Sequence, residues 1–181
     1  MMRGATRPMA ARMAAAACLG SALMAWAMPA LATQPAGSRQ TRDYVQAAGN
    51  TDAFERDEAA TALAQSTDPQ VLDFARRMIA DHDQTTRTLT AATARSGLAP
   101  PPMGVGSDLA PMLGALQSVR GPDFDKTYWR NQMLAHMSAL AMTQMYATSG
   151  DDPAVRHAAA AALPIISAHL AMAEKMVSGS S

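Results

Sequence analysis

Four histidines stand in this chain, and three of them fall at comparable depth in segments that read as helices. His82 lies 14 residues after Asp68, His136 14 after Pro122 and His169 17 after Asp152, and each of those earlier residues carries a helix-start signal. The first helix offers Glu55 at a similar depth, with Asp52 and Glu58 one turn to either side and Asp57 nearby. Three imidazoles and a carboxylate facing one another form an N/O donor set suited to zinc, copper, iron or manganese. Asp81, next to His82, is placed to fix an imidazole by accepting its outer N–H. A second reading competes with the metal site. Buried His, Ala and Met at one level can equally form a hydrogen-bonded layer that sets helix register, because a core polar group is costly only without a partner. His157, near the start of the last helix, is expected at the surface.

Other chemistry finds less support. Di-iron bundles place Glu-x-x-His on two helices, and that motif does not occur here. Met133, Met137, Met142, Met145, Met172 and Met176 could bind Cu(I) through thioethers, but at helical spacing in an Ala-rich chain they read first as core filling. Gly-x-Ser-x-Gly and Gly-rich phosphate loops are missing. Ser138 is two residues from His136, a spacing that points the two away from each other on a helix. Hydrolase chemistry therefore finds little support, and a redox enzyme at the histidine site stands third, behind a binding protein and a structural module.

The elements that must position these residues are helices. From about Thr41 to Ser66 the chain is rich in Ala, Glu, Gln and Leu, weakened only by Gly49 and Asn50. Asp68-Pro69 supplies a cap and a first-turn proline for a second helix ending near Gly97. Its residues Val71, Ala75, Met78, His82, Thr85 and Leu89 follow a 4-3-4-3-4 seam. Pro100 to Pro102 force a connection over 98–107, after which Asp108 caps a short helix to about Ser118. A third long helix runs from Pro122 to Ser149, with Trp129, Met133, His136, Leu140 and Thr143 on one face. Asp152-Pro153 repeats the earlier start, and Val155, Ala159, Ala162, Ile166, His169, Ala173 and Met176 form the last stripe. Pro164 within it should bend the helix about one turn before His169. The expected class is all-α: an antiparallel four-helix bundle with a Pro-rich connection and a short extra helix between helices two and three.

Ahead of this lies a leader. Arg3, Arg7 and Arg12 precede an apolar run from Ala14 to Met28, and Ala30-Leu31-Ala32 offers a small-x-small cleavage site, so residues 1–32 read as a secretory signal. Pro29 and the run's length oppose a membrane anchor. Ala15-Ala16-Ala17 before Cys18 do not form a lipobox. Cleavage leaves 149 residues (181 less 32) with no cysteine and a formal charge of −3, from 12 Lys and Arg against 15 Asp and Glu. That charge argues against nucleic-acid binding, and packing alone must hold the domain together. The expected divisions are a disordered lead-in at 33–40, the helical domain at 41–177 and a disordered tail at 178–181. A periplasmic or secreted location follows, with no membrane span after processing and with an envelope protein or a second copy as partner.

The chain also resembles the exported bacterial family known as domain of unknown function 4142, a ferritin-like helical-bundle family. The resemblance runs from about Asp43 to Met176 and rests on Tyr44-Val45 with Ala47-Ala48, Phe54-Glu55, Asp68-Pro69-x-Val71, Phe74-Ala75-x-x-Met78-Ile79-x-Asp81-His82, Tyr128 with His136, and Leu163-Pro164-x4-His169-Leu170. Where the family commonly has Phe-Glu-x-Glu, this chain has Phe54-Glu55-Arg56-Asp57. The resemblance implies a ferritin-like fold and an envelope location and supplies no activity. Two functional expectations follow: a metal-binding protein using Glu55, His82, His136 and His169, or a non-catalytic structural or interaction module.

Overall fold

A computed structural model describes Met1 and residues 37–179; the expected leader, most of the lead-in and residues 180–181 lie outside the described residues. All regular structure described is helical: α1 (Arg39–Gln65), α2 (Pro69–Arg95), α3 (Ala110–Ser118), α4 (Pro122–Ser149) and α5 (Pro153–Gly179). α1 packs against α2 and α4, and α5 packs against α4 and α2, so the four long helices close a ring. α3 lies against α1 and α4.

The helix ends form where local chemistry places them. Asp68 accepts from the backbone N–H groups of Gln70 (2.7 Å) and Val71 (3.4 Å), and Asp152 from those of Ala154 and Val155 (both 2.9 Å), each ahead of a proline whose missing N–H costs nothing there. α2 ends in a reversal at Gly97 (φ 65°), with Leu98 N–H donating to the Thr93 carbonyl at 2.9 Å. Asp108 does not cap α3; its carboxylate accepts from Ser107 instead, and Leu109 stands at the N-cap of α3 with no side-chain cap hydrogen bond. Pro164 sits inside α5 without ending it, and α5 continues to Gly179, past the expected domain limit.

Gly49 has a reason to be in the middle of α1. The Pro-rich connection crosses the helix there, and a Cβ at Gly49 would stand 2.8 Å from Pro101 Cβ and 2.9 Å from Pro102 N. Lost helix propensity is exchanged for a close crossing.

Two apolar clusters form the core. One gathers Val71, Phe74, Met78, Leu116, Phe124, Tyr128 and Trp129; the other gathers Tyr44, Val45, Leu89, Tyr146 and Val155. Burying each large side chain contributes about 1.5–3 kcal/mol. Met133, Met172 and Met176 pack on the first cluster and Met142 on the second. Met137 (50%) and Met145 (65%) are exposed, so the core-filling expectation fails for these two. Among the described residues, α5 alone has the length and apolar composition of a membrane span, and it packs along α4 and α2.

Candidate metal centre

Between the two apolar clusters lies a polar layer. His82 from α2, His136 from α4 and His169 from α5 are 0–2% exposed, and each offers a ring nitrogen within 4.8 Å of the others. The 4-3 seams carry them inward because the residues one turn away on each helix, Met78, Ala139 and Ala173 among them, are themselves buried.

Each ring has one nitrogen held from outside. His82 Nδ1 lies 2.9 Å from Asp52 Oδ1, His136 Nδ1 2.8 Å from the Gln132 carbonyl, and His169 Nε2 2.9 Å from Asp81 Oδ2. An oxygen acceptor at each of these positions calls for a proton on that nitrogen. What remains is His82 Nε2, which has no hydrogen-bond partner, and the pair His136 Nε2 and His169 Nδ1, 3.3 Å apart. Two lone pairs then face each other with no proton to share. A tetrahedral ion with metal–nitrogen bonds of ~2.0–2.1 Å separates its ligands by roughly 3.3 Å, so that spacing suits a common cation.

Glu55, expected as a further member of the same set, is 1% exposed and touches the other sides of two rings, with Oε2 3.2 Å from His82 Nδ1 and Oε1 3.2 Å from His136 Nδ1. Neither contact is a formed hydrogen bond. Glu55 thereby joins a second potential ligand group with Asp52 and His82. Asp52 is anchored in turn, accepting from Thr85 (3.0 Å) and Thr86 (2.7 Å). Asp57 and His157 are exposed.

Charge distributes unevenly across the layer. Burial pushes the His136 imidazole down to about 3 and His169 to about 4, helped in both by the charge of His82. Burial acts the same way on His82, yet the Glu55 carboxylate, together with Asp52 and Asp81, lifts it to about 9. Burial raises Glu55 to about 7. The metal-free layer thus holds one imidazolium beside two neutral rings, and a metal ion would take over the positive charge.

One turn further toward α3 is a layer that counting along the sequence does not assemble. Glu58, 0% exposed, accepts from Asn131 Nδ2 at 2.6 Å and Gln132 Nε2 at 2.9 Å. The Tyr128 hydroxyl and Gln132 Oε1 beside it are buried without partners. A signal exists: Glu58 follows Glu55 by one turn and Gln132 precedes His136 by one. The Phe74 ring links the layer to the core, edge-on to His169 (5.6 Å between centroids) and tilted against Trp129 (4.9 Å).

No curated protein matches this chain. Among solved structures it is similar to a DUF305 fragment from Deinococcus radiodurans (TM-score 0.67, 21% identity, covering 80% of this chain and 99% of that one). It is also similar to CopM in its Cu(II)-bound form (TM-score 0.62, 20% identity, 78% and 97%). At that identity the likeness is one of fold. Residues 27–176 match the family described as a domain of unknown function, DUF4142, and the chain belongs to that family.

Proposed function

We propose that this family member is an exported envelope protein that binds one transition-metal ion through His82, His136 and His169, within an antiparallel, ferritin-like four-helix bundle. The observation that carries the reading is the inward convergence of three buried ring nitrogens whose opposite nitrogens are already engaged. Three imidazoles, two held from behind by carboxylates and one by a backbone carbonyl, suit Zn(II) or Cu(II) better than an oxygen-preferring ion. The similar CopM structure is a Cu(II)-bound form, which makes Cu(II) the first ion to test. Asp52 and Asp81 orient their imidazoles, and Glu55 balances charge beside the rings. Supporting the antiparallel arrangement, core residues run from the Tyr44 cluster to the Phe74 cluster along α1 and α5 and in the reverse order along α2 and α4. The leader's sequence supports export.

A specific observation favours a second reading: His82 lies between the carboxylates of Asp52 and Glu55, which favour its protonated form and would make a self-contained charged layer that needs no metal. Elemental analysis of untagged protein, with Cu(II) and Zn(II) titrations of the wild type and His82→Ala, separates the two. Near-stoichiometric binding that the substitution abolishes supports the metal site. Wild-type protein that takes up neither ion, while His82→Ala only lowers the melting temperature, leaves the structural layer.

A further inference from the structure

The His82 ring has two faces to its chemistry, and the three-histidine site uses one. On the other, Asp52 Oδ1 and Glu55 Oε2 lie 2.9 and 3.2 Å from Nδ1, and the three residues form a potential ligand group of their own. Glu55 is the unusual member. A carboxylate that is 1% exposed ordinarily accepts hydrogen bonds, yet both of its oxygens lack a donor. Beside it is a cavity of about 40 Å³ bordered by Asp52, Glu55, His82, Thr85, Thr143 and Tyr44. At roughly 10–15 Å³ per water that space holds about three or four waters, enough to complete the coordination of an ion that brings solvent ligands with it. Small side chains at Ala48, Ala139 and Ala158 leave the room.

We propose that Asp52, Glu55 and Nδ1 of His82 form a second cation position, on the opposite side of the His82 ring from the three-histidine site, taking a divalent first-row ion in a mixed carboxylate and imidazole environment with water filling the remaining positions. The proposal rests on the three-histidine reading, because His82 is common to both positions and joins them. Occupation of the second position displaces the Nδ1 proton to solvent, and the ring becomes an imidazolate bridge between the two ions. The carboxylates of Asp52 and Glu55 supply the negative charge that the second ion needs, and Thr85 and Thr86 hold Asp52 in place.

The test is a Cu(II) titration of chelator-treated protein followed by calorimetry and electron paramagnetic resonance. The expected result is two equivalents bound. The first gives a mononuclear spectrum; the second lowers the integrated signal, because the His82 ring couples the two spins. Asp52→Asn keeps an oxygen for the His82 N–H but loses the charge. Asp52 also orients His82 for the first ion, so the first equivalent should weaken too; the second should weaken by about tenfold more than the first, and Glu55→Gln should do the same by an independent change. Wild-type protein that stops at one equivalent, or a second equivalent indifferent to both substitutions, overturns the second position and spares the first. Wild-type protein that binds neither Cu(II) nor, in a parallel titration, Zn(II) overturns both.

Discussion

Replacing Glu58 with glutamine should change how stability depends on pH, and the structure gives the size of the effect. The Glu58 carboxyl is 0% exposed, and among the described residues it has no ion-pair partner. Burial, the largest influence, pushes its pKa from 4.5 up to about 8, against the pull of the Asn131 and Gln132 hydrogen bonds and with a push from Glu55. Between those two values the unfolded chain has released this proton and the folded chain keeps it. The folded state binds more protons, so stability falls as pH rises. The contribution is whole below about pH 4.5, declines by up to ~1.4 kcal/mol per pH unit, and is gone above about pH 8. Across the window the upper limit is about 5 kcal/mol. Glutamine has the same shape and no proton to lose, although its NH2 meets the amide donor of Asn131 or Gln132, so Glu58→Gln should start at or below the wild type near pH 5 and gain on it progressively toward pH 8. Urea unfolding at four pH values in metal-free buffer measures the difference. A difference that stays constant with pH, or one that turns against the variant, would refute the claim that this carboxyl is held neutral in the fold.

Further outcomes follow from single contacts. Tyr128→Phe removes a buried hydroxyl that has no partner and should leave the melting temperature unchanged or raise it, whereas Tyr146→Phe loses the 2.6 Å bond to Thr41 and should cost about 1 kcal/mol in chemical denaturation. Gly49→Ala gains about 1 kcal/mol of helix propensity but drives a methyl group into Pro101 and Pro102, for a net loss of about 1–2 kcal/mol by thermal melting. Asp81→Asn, which weakens the hold on His169 Nε2, should lower affinity for the first Cu(II) about 10–100-fold by calorimetry. Unchanged affinity there would detach Asp81 from the site.

Much of the scaffold was legible because its signals are local. The Asp-Pro pairs at 68 and 152, the break at Gly121-Pro122 and the 4-3 seams each act within a turn or two, and counting along helices of known start brought His82, His136 and His169 to one level. The site's wiring was less legible, because it depends on which side of a ring faces which helix. Nothing near residue 52 announces that Asp52 will hold His82 and two threonines from another helix. Glu55 could be placed at the right depth, but not on the Nδ1 side of two rings. The Glu58 layer was hidden for the opposite reason: the one-turn offsets of Glu58 from Glu55 and of Gln132 from His136 gain meaning only once a carboxyl from α1 meets the amides of Asn131 and Gln132. Met137 and Met145 misled because the methionines are spread around the helix, and only those on the inner side and flanks are covered.

The ring contacts around Phe74 make the protein its own optical gauge. Trp129 is the one tryptophan among the described residues, and it stands two turns before His136 on the same helix, about 10 Å along the axis at 1.5 Å per residue. Phe74 fills the space between Trp129 and His169. Indole emission is quenched by Cu(II) over such distances and is little affected by Zn(II). A fluorescence titration could therefore report which ion has arrived without a dye or a tag, and could follow exchange of one ion for the other in real time.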